Sequence, residues 1–242
     1  MKKAIIIIPA YNEEKNIAGV INGIKKNSIP DADILVVNDG GEDRTEKIVR
    51  ELGEQVISLP YNMGYGVALQ TGFIYALKKG YEYAVQIDAD GQHDPRDIPK
   101  LLDEVFNNKA DVIIGSRFLD KGNYRASFIR RVGMLFFAKL TSLIIGEKIT
   151  DPTSGYQAIN KHGLQFYAGD YYPVDFPDAD VIIMLHRVGL KIKEIPVTMY
   201  PSVQGKSMHS GLKPVYYIFK MFLSIFVTLL RKAESGERRG EG

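Results

Sequence analysis

Five short apolar runs constrain the fold of this chain more than any other feature: AIIII (4–8), DILVV (33–37), QVISL (55–59), YAVQI (83–87) and DVIIG (111–115). Their length and β-branched content predict buried strands. Between them, Ile17, Val20, Ile21 and Ile24 recur at helical spacing, as do Ile98, Leu101, Leu102 and Val105. Alternation of this kind predicts an α/β domain with a mostly parallel sheet flanked by helices. Ligands of such sheets bind outside the carboxyl ends of the strands. Residues able to do chemistry should therefore follow the runs, and they do. Pro9, Ala10, Tyr11, Asn12 and Glu13 follow the first, and Asn38, Asp39, Gly40 and Gly41 the second. Asn62, Gly64 and Gly66 follow the third, Asp88, Asp90, Gln92 and His93 the fourth, and Ser116 and Arg117 the fifth.

A chain of 242 residues supports one sizeable core and does not require a second. A net charge of +2 offers no global field for nucleic acid, so an anionic partner must be met by local clusters. The absence of cysteine removes disulfides, thiolate catalysis and cysteine-bound metals, and fits a reducing, cytosolic setting. The first apolar run is too short for a signal-peptide core, so no secretion signal is expected.

The second half is less regular. Residues 126–145 predict a long apolar helix with Arg130 and Arg131 near its start. DPTSGYQAIN (151–160) and an acidic, aromatic stretch, YYPVDFPDAD (171–180), precede a further strand at KIKEIPV (191–197). LKPVYYIFKMFLSIFVTLLR (212–231) predicts a helix with almost no polar face, and AESGERRGEG (233–242) a disordered tail. The expected division is a catalytic domain over 1–211, a C-terminal helix over 212–232 and the tail.

Asp88 and Asp90 stand one residue apart at a strand end, which turns both carboxylates to one side of the pleat. Hard cations take such oxygen ligands and bridge to phosphate oxygens. D-x-D alone is a weak signal, because aspartates also cap helices such as one starting near Asp94 and Pro95; placement after a strand strengthens it. Asp39, in VVNDGGEDRT, is placed to accept hydrogen bonds from a base or ribose, while Glu42 or Asp43 caps the following helix. NMGYGVALQTG (62–72) matches neither dinucleotide-binding nor P-loop fingerprints, and its glycines point to tight turns or helix–sheet packing before a diphosphate contact.

IPAYNEE, VVNDGGEDRT, NMGYGVA, QIDADGQHD, GSRF and DPTSGYQA occur in an order and spacing that resemble family 2 glycosyltransferases of the GT-A fold. Polyprenyl-phosphate (dolichol-phosphate-type) mannose and glucose synthases are the branch most resembled, over roughly residues 4–210. The resemblance implies a nucleoside pocket at Pro9, Tyr11, Glu13 and Asp39, with Ala10, Gly66 and Ala89 completing the nucleotide-sugar set. It implies Asp88, Asp90 and Gln92 as ligands of Mg2+ or Mn2+. Arg117 and an arginine of the 130–131 pair would face phosphate, and Ser154, within TSGY, would line the donor-sugar and acceptor side. Where related enzymes carry a phosphate-reaching arginine before a G-x-S segment, this chain has Ser202 and Gln204, leaving Lys206 as an electrostatic substitute without the bidentate fork.

The acceptor stays open at this point. A lipid phosphate is already a nucleophile at neutral pH, whereas a sugar hydroxyl needs a base, and Asp178 or Asp180 would supply one. Either could equally be helix N-terminal charge. The expected partners are a nucleotide-diphosphate sugar and polyprenyl phosphate or a lipid-linked glycan at the cytoplasmic face of the membrane. Attachment is expected to be peripheral, through the apolar 212–231 helix or a separate membrane subunit. The same helix could pack on the domain or in a homodimer. Outside glycosyl transfer, a sugar-nucleotide nucleotidyltransferase would use paired aspartates but needs a basic glycine loop where PAYNEE stands; a noncatalytic nucleotide-binding module would not need both aspartates.

Overall fold

A computed structural model describes residues 3–27, 32–119, 128–170, 172–173, 177–200 and 213–230, with backbone alone at 128–130 and 213–219. The strands are β1 (Ala4–Ala10), β2 (Ala32–Asn38), β3 (Gln55–Ser58), β4 (Tyr83–Gln86), β5 (Val112–Ser116), β6 (Gln157–Asn160) and β7 (Ile192–Pro196). The helices are α1 (Ile17–Lys26), α2 (Thr45–Glu51), α3 (Tyr65–Lys78), α4 (Ile98–Phe106), α5 (Phe128–Ile145), α6 (Lys161–Tyr167), α7 (Ala179–Arg187) and α8 (Lys213–Leu230), with a 3-10 turn at Pro95–Asp97. Every expected strand and helix is present. The one strand not anticipated is β6, inside DPTSGYQAIN.

The strands form one sheet in the order β3-β2-β1-β4-β6-β5-β7. All neighbouring pairs are parallel except those of β6, which runs antiparallel to both β4 and β5. Successive side chains alternate across the sheet. Ile5 and Ile7 thus join Leu69 and Phe73 of α3 in one core, while Ile6 and Ile8 join α1 and α4 in the other. On the α3 side, Gly72 lies so close to β1 that a Cβ would stand 2.5 Å from Ile7 Cγ2. Helix–sheet packing therefore accounts for this glycine of the 62–72 stretch.

Pro9 sits inside β1 without harm to the sheet. The β1–β4 ladder ends at Ile7↔Gln86, so on that side Pro9 has no strand to donate to. Beyond that point the carboxyl ends of β1 and β4 part. The chain order reverses there, β2 and β3 lying on one side of β1 and β4 on the other, which makes it the switch point where open α/β sheets hold their ligands.

α5, α7 and α8 cover the β7 half of the sheet. Met221 and Ile225 of α8 are buried in the same core as Ile182 and Leu185 of α7. The outward faces of α5 and α8 remain apolar: Leu135, Phe136, Leu143, Leu223, Phe226 and Leu230 are exposed. Phe136 and Phe222 bring their rings to 5.5 Å, so the apolar surface is continuous across the two helices. Among the described residues, no helix is long and apolar enough to cross a membrane.

Candidate active site

The crevice at the switch point is walled by the segments that follow β1 and β4. Asp88 lies two residues beyond β4, where its carboxylate is gripped on both oxygens. The Tyr65 hydroxyl donates to Oδ1 at 2.7 Å and His93 Nε2 stands 3.2 Å from Oδ2. Burial opposes ionisation of Asp88, but the His93 contact, the Tyr65 hydrogen bond and the field of Arg117 outweigh it and hold its pKa below the ordinary carboxylate value. Burial, then the neighbouring Asp88, push the Tyr65 phenol well above its usual pKa, so Tyr65 stays a donor.

Asp90 is half-buried and turns back on its own loop, accepting the Gln92 N–H at 2.9 Å. Gln92 in turn donates to the Tyr200 carbonyl at 3.3 Å. Glu13, half-buried after β1, has its pKa raised by burial, opposed by the Asn16 hydrogen bond, and raised further by the charges of Asp90, Asp43 and Asp88. The carboxylates of the β1 and β4 segments therefore share one negative field. Among the described residues no group of three or more His, Cys, Asp or Glu could hold a metal ion on its own. Two carboxylates one residue apart are oxygen donors of the kind hard cations take, and the remaining ligands would have to come from a bound diphosphate and neutral oxygen donors.

The opposite wall is the loop before β6. A Cβ on Gly155 would stand 2.8 Å from the Tyr65 hydroxyl and 3.2 Å from Asp88 Oδ2, so a side chain there would displace Tyr65 or the loop that closes on the carboxylate. Arg117 anchors the loop. Its guanidinium makes a buried bidentate pair with Asp151 (Nε–Oδ2 2.6 Å, Nη2–Oδ1 2.5 Å) and donates to Thr153 Oγ1 at 2.8 Å. Glu194 of β7 fixes the same loop by accepting the Thr150 and Asp151 N–H groups at 2.8 and 2.7 Å.

Several residues expected at the ligand have internal partners. Asp39 is buried and accepts the Met63 and Gly64 N–H groups at 2.7 and 3.0 Å, so its carboxylate shapes the loop entering α3 rather than standing free. Asp43 stands two residues before α2 and accepts the Thr45 N–H at 2.9 Å, but the residue at the cap itself is Arg44, whose side chain makes no capping bond, so neither Glu42 nor Asp43 holds the expected cap position. Ser154 is buried and donates its hydroxyl to the Gly115 carbonyl at 2.6 Å. Asp180 is buried and accepts from Ser224 of α8; Asp178, one residue before α7, is half-buried. Tyr11 is exposed; Ala10, Gly66 and Ala89 are buried beside the crevice segments. Arg131 is exposed on α5, Arg130 is described by its backbone alone, and Lys206 lies outside the described residues. Tyr65 and Asp151 are the site residues that sequence reasoning missed; His93 and Gly155 stand in segments it singled out, without the contacts that the structure shows. His93 does lack metal-ligand spacing; its contact is with Asp88, and its place five residues on was the available signal.

The family model for "Glycosyl transferase family 2" matches residues 5–167. The chain is 30% identical to the UDP-N-acetylglucosamine–dolichyl-phosphate N-acetylglucosaminyltransferase of Methanococcus voltae, over 91% of this chain and 96% of that one. It is 31% identical to the polyprenol monophosphomannose synthase of Mycolicibacterium smegmatis, over 91% and 86%. Glucosyl-3-phosphoglycerate synthase of Mycobacterium tuberculosis, crystallised with Mn2+ and UDP-glucose, superposes with a TM-score of 0.68 at 20% identity, over 94% of this chain and 78% of that one. The chain belongs to glycosyl transferase family 2, and its fold is the GT-A fold that the sequence blocks imply.

Proposed function

We propose that this enzyme transfers a hexose from a nucleotide-diphosphate sugar to polyprenyl phosphate at a membrane surface, with inversion and with Mg2+ or Mn2+ bound at Asp88 and Asp90. The observation that carries the reading is the doubly gripped Asp88 carboxylate beside Asp90, in a crevice whose negative field calls for a cation. The Methanococcus relative, named for transfer to dolichyl phosphate, and the Mycolicibacterium relative, named as a polyprenol monophosphomannose synthase, support the acceptor class.

The reaction is a single displacement. An acceptor phosphate oxygen attacks the anomeric carbon, the bond from that carbon to the donor diphosphate breaks, and the nucleoside diphosphate leaves from the opposite face. A divalent ion would offset the charge that develops on the departing diphosphate. The protein's part is to hold the donor: Glu13 and the Pro9–Tyr11 segment wall the nucleoside side, and Gly155 lets the loop before β6 close on Asp88. A phosphate acceptor needs no general base. That agrees with Asp180, whose carboxylate is buried and committed to Ser224. Half-buried Asp178 favours the second reading, a sugar hydroxyl of a lipid-linked glycan deprotonated by that carboxylate.

The membrane reading rests on the continuous apolar surface of α5 and α8, with Arg131 and Lys139 exposed on the same α5. Such a face, edged with cations, suits the headgroup boundary of a bilayer and peripheral attachment. Asp90→Ala tests the metal assignment. It should fold normally and lose metal-dependent turnover of labelled nucleotide sugar, and full turnover would remove Asp90 from the metal site.

A further inference from the structure

His93 is a buried titratable side chain that the proposed chemistry leaves unused, with 2% of its side chain exposed. Three contacts fix its place. Its backbone bridges to Met199, its ring lies 4.8 Å from that of Tyr156, and Nε2 faces Asp88 Oδ2. The flanking residues are fastened to the same segment: Tyr200 N donates to the Gln92 carbonyl at 2.7 Å and Asp94 N to Thr198 O at 3.3 Å. An ionised carboxylate only accepts, so the nitrogen facing Asp88 carries the proton. The other nitrogen, Nδ1, is buried and has no hydrogen-bond partner among the described residues. A leucine would fill this space without burying an unpartnered polar atom. Holding Asp88 is what the imidazole does here that a leucine could not.

We infer that His93 is a positioning residue for the divalent cation: with Tyr65 it fixes the rotation of the Asp88 carboxylate, leaving each oxygen a lone pair aimed into the crevice. The inference rests on the reading of Asp88 and Asp90 as the metal pair. Groups that orient a ligand from behind set metal affinity as well as rate.

The test is Mn2+ binding in the presence of UDP or GDP, read as free Mn2+ by electron paramagnetic resonance, with melting temperature as the fold control. His93→Leu should weaken binding by about 10- to 100-fold. His93→Gln places an amide nitrogen near the Nε2 position and should bind more tightly than His93→Asn, whose amide falls nearer Nδ1. Wild-type Mn2+ affinity in a normally melting His93→Leu overturns the inference. Should that variant not fold, equal affinity in the Gln and Asn variants overturns it. Asp90→Ala, run alongside, separates the two claims. Its undiminished binding would sink the metal reading itself, whereas loss there with no loss at His93 would sink the positioning role alone.

Discussion

Asp88 accepts one hydrogen bond on each oxygen from groups that start far apart in sequence, Tyr65 on α3 and His93 beyond β4, and its outer face is left to the loop carrying Gly155. The Asp88–Asp90 pair was legible because two carboxylates after a buried apolar run have few structural uses. Its supports were not. That a Cβ on Gly155 would strike Tyr65 follows from how three segments converge, and no local pattern announces it. Asp39 shows the reverse limit. Its position after β2 was read correctly, but the Met63 and Gly64 N–H groups that occupy its carboxylate come from a loop 24 and 25 residues away. Gly155→Ala puts a methyl carbon 2.8 Å from the Tyr65 hydroxyl, so Tyr65 or the loop must move. The variant should keep a near-native melting temperature and lose turnover by up to about 100-fold, the scale of a misplacement of roughly 1 Å at a reacting centre. Steady-state rates across a Mn2+ titration check it, and an unchanged rate would mean the loop does not seat against Asp88.

At the scale of elements, the strands announced themselves through long β-branched runs, and the helices through their spacing. β6 did not, since it is four residues long and follows a turn-rich stretch, and its pairing is decided by the gap between β4 and β5. α8 reads in sequence as an apolar segment of undecided destination. In the structure one face packs on α7, and Asp180 accepts from Ser224 while Arg187 donates to the Thr228 carbonyl, tying the two helices at both ends. Burial raises the Asp180 pKa above its ordinary value of 3.8, against hydrogen bonds from Ser224 and from backbone N–H groups of Val181 and Asp178 that lower it. For an acid with a raised folded-state pKa, the folded protein binds more protons than the unfolded one between the two values. Its contribution to stability is therefore greatest below 3.8 and falls as pH rises through the folded-state pKa. Asp180→Asn keeps an acceptor for Ser224 without a buried charge. Its melting temperature relative to wild type should climb as pH rises from acid toward neutrality, measured by calorimetric scans in matched buffers. A difference that does not vary with pH would mean Asp180 carries no buried charge.

Across the whole molecule, one sheet with a core on each face sets two functional regions. The switch point between β1 and β4 makes the crevice we propose for the donor, and the α5–α8 surface presents apolar side chains that no described residue covers. The fold class and the crevice were legible because both follow from strand order and polarity. The acceptor was not, because polyprenyl phosphate and a sugar hydroxyl differ by one carboxylate's role, and that role depends on whether the carboxylate is reached or buried. Asp180 is buried and engaged. The acceptor we propose is therefore a lipid phosphate, which needs no base to receive the sugar. The direct measurement is incubation of the enzyme and Mn2+ with a panel of labelled nucleotide sugars, offering polyprenyl phosphate and a lipid-linked glycan together in vesicles, followed by mass spectrometry of the lipid products. The expected product is a polyprenyl phosphate one hexose heavier, formed at a rate unchanged in Asp178→Asn. An extended glycan with the polyprenyl phosphate left unmodified, and loss of that extension in Asp178→Asn, would contradict it.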